Sequence, residues 1–248
     1  MSLIGVIAGA SRRRAVADPL LDGLVEAWWL DDTHGGVGAK GAFSLTENGT
    51  LTQNSAGGPG GLGYTAGTDD PNANYYSLAH DGAFGLSEYS VSYWARIPDP
   101  VTSSNLFYRS WIKGSSALDS NAVWFRIQLQ PNATDPTALR FAGNWDSAAA
   151  FGTNLDGDPR GVWNHIVHQL TPTRRRTWVN GSLFQDATKG TALSNTDNLR
   201  VMSNNDGANN HDTALFYWYD RELVSAEISR LYNGGPSGAP LTPTDIGL

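Results

Sequence analysis

The feature that most constrains this chain is the alternation of apolar and polar residues in short runs that end at turn-forming residues. In the clearest run, Tyr89–Ile97, every second side chain from Tyr89 onward lies on one face. A period of two residues is typical of a β-strand with one buried face. Pro98 and Pro100 end this run, because proline cannot donate to a central ladder, and Val123–Leu129 repeats the pattern. The alternation therefore predicts short strands rather than long helices.

The same pattern predicts further strands at Ala138–Ala142, Trp163–Leu170, Arg175–Val179, Asn198–Ser203 and Ala214–Tyr219. One short helix follows them: Ser225 is the expected N-cap, Ile228 and Leu231 share a face, and Gly234-Gly235 supply the stop. Without long helices, the strands must bury their apolar faces against one another. The sequence predicts an all-β fold of two stacked antiparallel sheets, with one short capping helix near the C-terminus.

The charge balance limits the class of partner. The chain has 17 Lys and Arg against 24 Asp and Glu, a net charge of −7. This charge gives no electrostatic reason to approach nucleic acid or an anionic membrane, so we expect neither partner. The sequence has no cysteine, which excludes disulfides and thiolate metal sites.

The first residues differ from the rest of the chain. We predict an N-terminal arm at 1–22, a β-sandwich at 23–236 and a C-terminal tail at 237–248. Because the positive charges of the arm follow its apolar run, the pattern is not that of a secretory signal. The arm is predicted to dock on a partner; the alternative is a disordered leader. Its docking residues are predicted to be Leu3, Ile4, Val6, Ile7, Arg12, Arg13 and Arg14.

Several blocks resemble a known family. The segment Gly161–His168, followed by Arg176–Gly181, closely resembles the laminin G-like branch of the concanavalin A-like lectin/glucanase superfamily, and its Asn180-Gly181 pair is also a strong hairpin signal. Gly23–Asp31 and Tyr217–Gly235 are similar to the first strand and to the last strand and helix of that family. The resemblance implies a concanavalin A-like jelly roll and calcium as the candidate cofactor. It departs where the family has an Asp-Asp-Val strand, since this chain has Ala214–Tyr219.

Because the superfamily contains glucanases, a glycoside hydrolase is an alternative to a binding protein. Retaining hydrolysis requires two carboxyl groups roughly 5 Å apart, and the acidic strand of the glucanases is missing. The five glutamates, none of which has an acidic partner on its own predicted strand, are Glu26, Glu47, Glu88, Glu222 and Glu227. His165 and His168 are expected on opposite faces of one strand, with His165 buried, so they cannot share a metal ion there. No catalytic residue is predicted.

Two kinds of binding residue are predicted. A sugar is usually held by an exposed aromatic ring beside polar groups, and the candidates for that role are Asn144, Trp145, Asp146 and Trp111. Calcium takes oxygen ligands from loops, and its candidates are Asp206, Asn210 and Asp212; a metal-free polar hairpin loop is the alternative. The tryptophans predicted to lie in the core are Trp94, Trp124, Trp163 and Trp178.

These features favour a non-enzymatic protein of a virion surface, with a bacteriophage as the expected source. We expect it to act in capsid decoration or in a receptor-contacting fibre, assembled in the host cytoplasm. Its partners would be other virion proteins, contacted through the arm, together with cell-surface glycans, within a homo-oligomer or a larger assembly. A bacterial extracellular adhesion protein that binds carbohydrate is the alternative, and a glycoside hydrolase is the third.

Overall fold

A computed structural model describes residues 17–67, 73–97, 107–114, 123–130, 138–144, 151–155, 161–191, 193, 195–203 and 211–248. Fifteen strands are found in these ranges: β1 Leu24–Trp28, β2 Thr46–Asn48, β3 Gln53–Asn54, β4 Tyr64–Thr65, β5 Tyr75–Leu78, β6 Tyr89–Arg96, β7 Phe107–Lys113, β8 Val123–Gln130, β9 Ala138–Asn144, β10 Phe151–Leu155, β11 Asn164–Leu170, β12 Arg174–Val179, β13 Ser182–Thr188, β14 Leu199–Val201 and β15 Asp212–Tyr219. The α-helix and the 3₁₀ turns are α1 Ser225–Asn233, Pro19–Leu21, Pro59–Gly61, Pro236–Gly238 and Thr244–Ile246.

The strands form two antiparallel sheets. The first has the order β13-β12-β11-β6-β15-β4-β3, with β1 also paired to β15. The second has the order β10-β9-β8-β7-β14-β5-β2. The predicted all-β sandwich with one helix near the C-terminus is therefore confirmed. Among the described residues, none of the helices could span a membrane.

The core between the sheets follows the predicted alternation. Its buried side chains include the predicted apolar face of the run Tyr89–Ile97, namely Tyr89, Val91, Tyr93, Ala95 and Ile97. Large aromatic side chains fill the centre of this layer, where Trp218 stacks on Tyr89 with ring centroids 5.4 Å apart. Burying such rings is the main stabilising contribution to a sandwich of this kind.

A second buried cluster lies on the outer face of the first sheet, under α1. The helix contributes Ile228 and Leu231, as the sequence predicted, and the chain ends contribute Leu20, Leu241 and Ile246. The described end of the predicted arm and the predicted tail therefore pack against the sandwich. The boundaries of arm and tail stay predictions.

The start of α1 differs by one residue from the prediction. The N-cap is Val224, in an extended conformation, and Ser225 is the first helical residue. The Oε2 of Glu227 accepts the N–H of Val224 at 2.9 Å, which is the half of a capping box that requires no side-chain oxygen at the cap itself. Gly234 ends the helix as predicted.

The predicted Asn-Gly hairpin is present between β12 and β13. Asn180 has φ 49° and Gly181 has φ 76°, the left-handed conformation that a two-residue hairpin turn requires at both positions. A Cβ on Gly181 would lie 3.2 Å from Cδ1 of Tyr232. The turn thus brings the hairpin close to the end of α1.

Candidate functional site

A cavity of about 410 Å³ opens on the outer face of the first sheet, beside the end of α1. Five separate parts of the chain meet there: the 3₁₀ turn after Gly58, strand β6, the start of β11, the last turn of α1 and the segment 238–240. The lining residues are Pro59, Gly60, Trp94, Trp163, Tyr232, Asn233, Gly238, Ala239 and Pro240. We call this cavity the aromatic pocket.

Stacked rings support one side of the aromatic pocket. Trp94 and Tyr232 stack with centroids 5.7 Å apart and an interplanar angle of 24°. His165 stacks on the same tyrosine at 5.9 Å. Trp94 is buried and Tyr232 is half-buried. Tyr232 thus has one part packed on the sheet while another part meets solvent.

Trp163 forms another wall of the pocket, and its ring is held from several sides. Its Nε1 donates to the carbonyl of Gly57 at 3.0 Å. Tyr64 meets its ring edge-on at 5.4 Å, and Cζ of Arg96 lies 4.8 Å from its centroid. Since the ring is half-buried, it combines a fixed orientation with access to solvent.

Arg96 sits behind this wall, between two rings, with Cζ also 4.9 Å from the centroid of Tyr64. Its Nε donates to Oδ2 of Asp212 at 2.8 Å, and its Nη2 lies 2.7 Å from the same oxygen. Its Nη1 donates to the carbonyl of Gly57 at 3.3 Å. Arg96 therefore ties the ring of Trp163 to the start of β15.

This geometry does not favour the predicted calcium role of Asp212. Asp212 is 5% exposed, its Oδ1 accepts the N–H of Gly67 at 2.8 Å and its Oδ2 is paired with Arg96. The other two predicted ligands, Asp206 and Asn210, lie outside the described residues. In the described ranges no group of three or more His, Cys, Asp or Glu could hold a metal ion.

The prediction that Trp111 contacts a sugar is wrong. Trp111 is 1% exposed and packs edge-on against Trp218 at 5.5 Å in the core between the sheets. A ring so deeply buried cannot stack on a sugar from solvent. Asn144 ends β9, and nothing of its side chain is described; Trp145 and Asp146 lie outside the described residues. The predicted arm residues also lie outside the described ranges: Leu3, Ile4, Val6, Ile7, Arg12, Arg13 and Arg14.

The two histidines of β11 lie on opposite faces, as predicted. His165 is buried under α1, where its Nε2 is 2.9 Å from Oγ of Ser92, and burial lowers its pKa to about 3. His168 lies in the core between the sheets, with Nε2 3.1 Å from the hydroxyl of Tyr93. Burial lowers the pKa of His168 well below its usual value. Both rings are therefore neutral structural groups near pH 7.

Four of the five glutamates have structural partners rather than one another. Glu26 is fully buried, and its carboxylate accepts backbone N–H groups from Ala27, Lys40, Ala42 and Phe43. Such an arrangement fixes the loop after β1. The carboxylates of Glu222 and Glu227 pair with Arg176 and Arg221. Glu47 accepts from the backbone of Leu51 and the side chain of Gln53.

A second cavity, of about 370 Å³, lies between the segments 80–87 and 193–196. Its apolar lining comes from Phe84, Leu86 and Leu193, and its polar lining includes His80 and Asn195. Phe84 is 1% exposed, and no tryptophan or tyrosine is found among the described lining residues. This cavity therefore offers no open aromatic face.

The sequence predicted only part of the aromatic pocket. The strand pattern predicts Trp163 in the core, although it stands at the wall of the pocket, and no pattern selects Tyr232 or Asn233. A signal did exist: an aromatic residue and an amide close the helix immediately before Gly234-Gly235. That signal gives no distance to Trp163, which lies in a remote part of the sequence.

Two stacked antiparallel sheets with one helix near the C-terminus have the architecture of a concanavalin A-like sandwich. A laminin G model of the concanavalin A-like lectin/glucanases superfamily matches residues 70–229. This chain therefore belongs to that superfamily. No matching sequence was found among curated proteins.

Solved structures show similarity in fold. The binding domain of botulinum neurotoxin DC, in complex with rat synaptotagmin II, is 13% identical, with TM-score 0.59; 86% of this chain and 51% of that chain are covered. The binding domain of Paraclostridial Mosquitocidal Protein 1 is 13% identical, with TM-score 0.58 and coverage of 86% and 52%. This chain thus spans about half the length of these toxin domains.

A third structure is similar over nearly its whole length. Domain 4 of AbnA, an extracellular arabinanase from Geobacillus stearothermophilus, was solved in complex with arabinotriose. It is 15% identical, with TM-score 0.57, and 83% of this chain and 96% of that chain are covered. At this identity the comparison shows a common fold.

Proposed function

We propose that this protein is a non-catalytic carbohydrate-binding domain whose ligand lies in the aromatic pocket. The observation that carries the proposal is the ring of Trp163, half-exposed at the pocket wall and fixed by Gly57, Tyr64 and Arg96. An indole face presented in this way can stack on the C–H face of a sugar ring. Because the ring is already ordered, binding costs little further side-chain entropy.

Polar groups at the same pocket can form hydrogen bonds with the hydroxyl groups of a sugar. The amide of Asn233, an exposed residue at the end of α1, offers both donors and an acceptor. The segments 59–60 and 238–240 also bring backbone groups to the lining. A few polar groups around an apolar surface of this volume are typical of small-molecule sites.

The proposal holds whether the domain binds carbohydrate on its own or serves as the carbohydrate-binding module of an enzyme. Glu26, Glu222 and Glu227 are each held by structural partners, which supports a binding role for this chain. Protein receptors are the alternative ligand class, since one similar structure was solved with synaptotagmin II.

A glycan array followed by calorimetry tests the proposal. The array should include arabino-oligosaccharides, because one similar domain was solved with arabinotriose. We expect Trp163→Ala to weaken binding by at least about tenfold, the usual effect of removing a central aromatic contact. Trp163→Phe, which keeps a stacking face, should lose less of the affinity for the glycan.

Trp29 offers a matched control. It is also half-buried and stacks on His34 at 4.8 Å, but it does not line the pocket. Trp29→Ala should leave the affinity unchanged. No binding across the array, or equal losses in Trp29→Ala and Trp163→Ala, would contradict the proposal.

For the biological setting we propose display on a virion surface through the N-terminal arm. The support is the fixed position of the described end of the predicted arm: Arg230 pairs with both carboxylate oxygens of Asp18, and Arg221 donates to the carbonyl of Pro19 at 3.1 Å. Mass spectrometry of purified virions should detect the chain, and deletion of residues 1–16 should remove it from particles. A chain found only free in the medium would favour the bacterial adhesion alternative.

A further inference from the structure

Charged side chains are few on the described elements that build the aromatic pocket, and each of them is already paired. The elements are the turn 57–63, β6, β11, α1 and the segment 238–240. Their charged residues are Arg96, Glu227 and Arg230.

The pairing of Arg96 leaves it no role as an anion-binding group. Its guanidinium lies between the rings of Tyr64 and Trp163, and two of its nitrogens contact the carboxylate of Asp212. Asp212 is buried, so the two charges compensate each other at short range. Arg96 is not among the residues that line the pocket, and its cation supports the indole ring.

The two charges of α1 are compensated in the same way. Arg230 donates to both oxygens of Asp18, at 2.6 Å to Oδ1. Glu227 accepts two hydrogen bonds from Arg221, at 2.7 and 2.9 Å. Bidentate pairs of this geometry are directional, and breaking one to serve a ligand would leave a carboxylate without its cation.

The described residues that line the pocket are all uncharged. A carboxylate or sulfate placed there would lose water without gaining a cation, which is unfavourable. The net charge of −7 opposes its approach as well. A neutral sugar meets no such penalty, because its hydroxyl groups can pair with Asn233 and with backbone groups while its C–H face covers Trp163.

We propose that the aromatic pocket selects neutral sugars against their carboxylated counterparts. This inference rests on the proposed function and names the substrate class of the same site.

Matched pairs of sugars test the inference by calorimetry. The probes are methyl glucoside with methyl glucuronide, methyl galactoside with methyl galacturonide, and lactose with sialyllactose. In each pair whose neutral member binds, the anionic member should bind at least about tenfold more weakly. The affinity of the neutral member should not change between low and high salt, because no ion pair forms.

A charge introduced at the exposed rim sharpens the test. Asn233→Lys should raise the affinity for the anionic member relative to the neutral one by about fivefold at low salt. High salt should remove this gain. Asn233→Gln, which adds length without charge, should not produce it. Because Asn233 is exposed at the end of α1, both variants are expected to fold.

The two possible failures are distinguishable. Equal or tighter binding of an anionic probe, if Trp163→Ala abolishes it, would overturn the selection for neutral sugars and leave the proposed function standing. Absence of binding to every probe and every array glycan would overturn the proposed function itself.

Discussion

Strands β6 and β11 together present an aromatic residue and a histidine on each face of the sheet, and the two faces are covered by different elements. On the inner face, Tyr93 and His168 point into the core between the sheets. On the outer face, Trp94 and His165 lie under α1, with ring centroids 5.3 Å apart. The residue types are alike, so the contrast comes from what covers each face.

The inner face is covered by a whole sheet. The hydroxyl of Tyr93 donates to Oγ of Ser110 at 2.9 Å, and that oxygen lies 2.6 Å from Nε2 of His211. Nδ1 of His211 is in turn 3.0 Å from Oγ1 of Thr213. This connected network satisfies buried polar groups within the core, and its role is structural.

The outer face is covered by a nine-residue helix and by turns. This narrower cover leaves Trp163 and Tyr232 half-buried, with the aromatic pocket between them. An aromatic–histidine pair on neighbouring strands therefore does not indicate function by itself. The width of the element packed against it decides whether a binding surface remains.

The largest expected difference between the two faces is in stability. Trp218→Ala should lower the free energy of unfolding by about 3–5 kcal/mol, because it opens a cavity among rings that pack in the core. Trp163→Ala should cost only about 1–2 kcal/mol, for one hydrogen bond and one cation–π contact. Urea unfolding monitored by circular dichroism measures both. Equal losses in the two variants would mean that the two faces contribute equally to the stability of the fold.

Acid should lower the free energy of unfolding, because the buried histidines take up protons more readily in the unfolded chain. Burial lowers the pKa of His211 from 6.5 to about 4. Between these values the unfolded chain takes up a proton that the folded chain does not, so stability is present above pH 6.5 and is lost as the pH falls toward 4. The expected loss from His211 is about 2 kcal/mol between pH 7 and 4.5.

Urea unfolding across this pH range checks the effect, with His211→Gln and a matched variant at the exposed His34. His211→Gln should reduce the pH dependence of the free energy of unfolding, whatever its effect at pH 7. His34→Gln should leave the acid-induced decline in the free energy of unfolding in place. An unchanged slope in His211→Gln would show that this histidine is not the proton acceptor.

Arg96 joins stability to binding, and its expected effect on stability is similar to that of His211 and smaller than that of Trp218. Arg96→Met leaves the buried carboxylate of Asp212 without its cation and should cost about 2 kcal/mol, less than for a fully buried pair because Arg96 is partly exposed. Arg96→Lys keeps the charge but loses the planar stacking. We expect Arg96→Lys to retain the fold and to lose affinity for the glycan severalfold in calorimetry. Full affinity in both variants would show that the ring of Trp163 needs no support.

The fold was predictable because its signals are local. Alternation in Tyr89–Ile97 identified the buried face of β6, and the Asn180-Gly181 pair identified a hairpin; both are confirmed. The order of strands in each sheet was not predictable, because pairings such as β6 with β15 join distant parts of the chain.

Two wrong or missed assignments have physical causes. A bulge between Arg109 and Trp111 interrupts the period of two in β7, so alternation could not show that Trp111 faces the core. The aromatic pocket was missed because its walls come from positions near 60, 94, 163 and 233. No local pattern reports that these positions meet.

A crystal structure of the complex with the tightest-binding neutral glycan tests the central claim most directly. The result expected is a sugar ring stacked on Trp163 within the aromatic pocket, hydrogen-bonded to Asn233, with Arg96 and Asp212 still paired behind the indole. A sugar bound elsewhere on the sandwich, with the aromatic pocket empty, would contradict it.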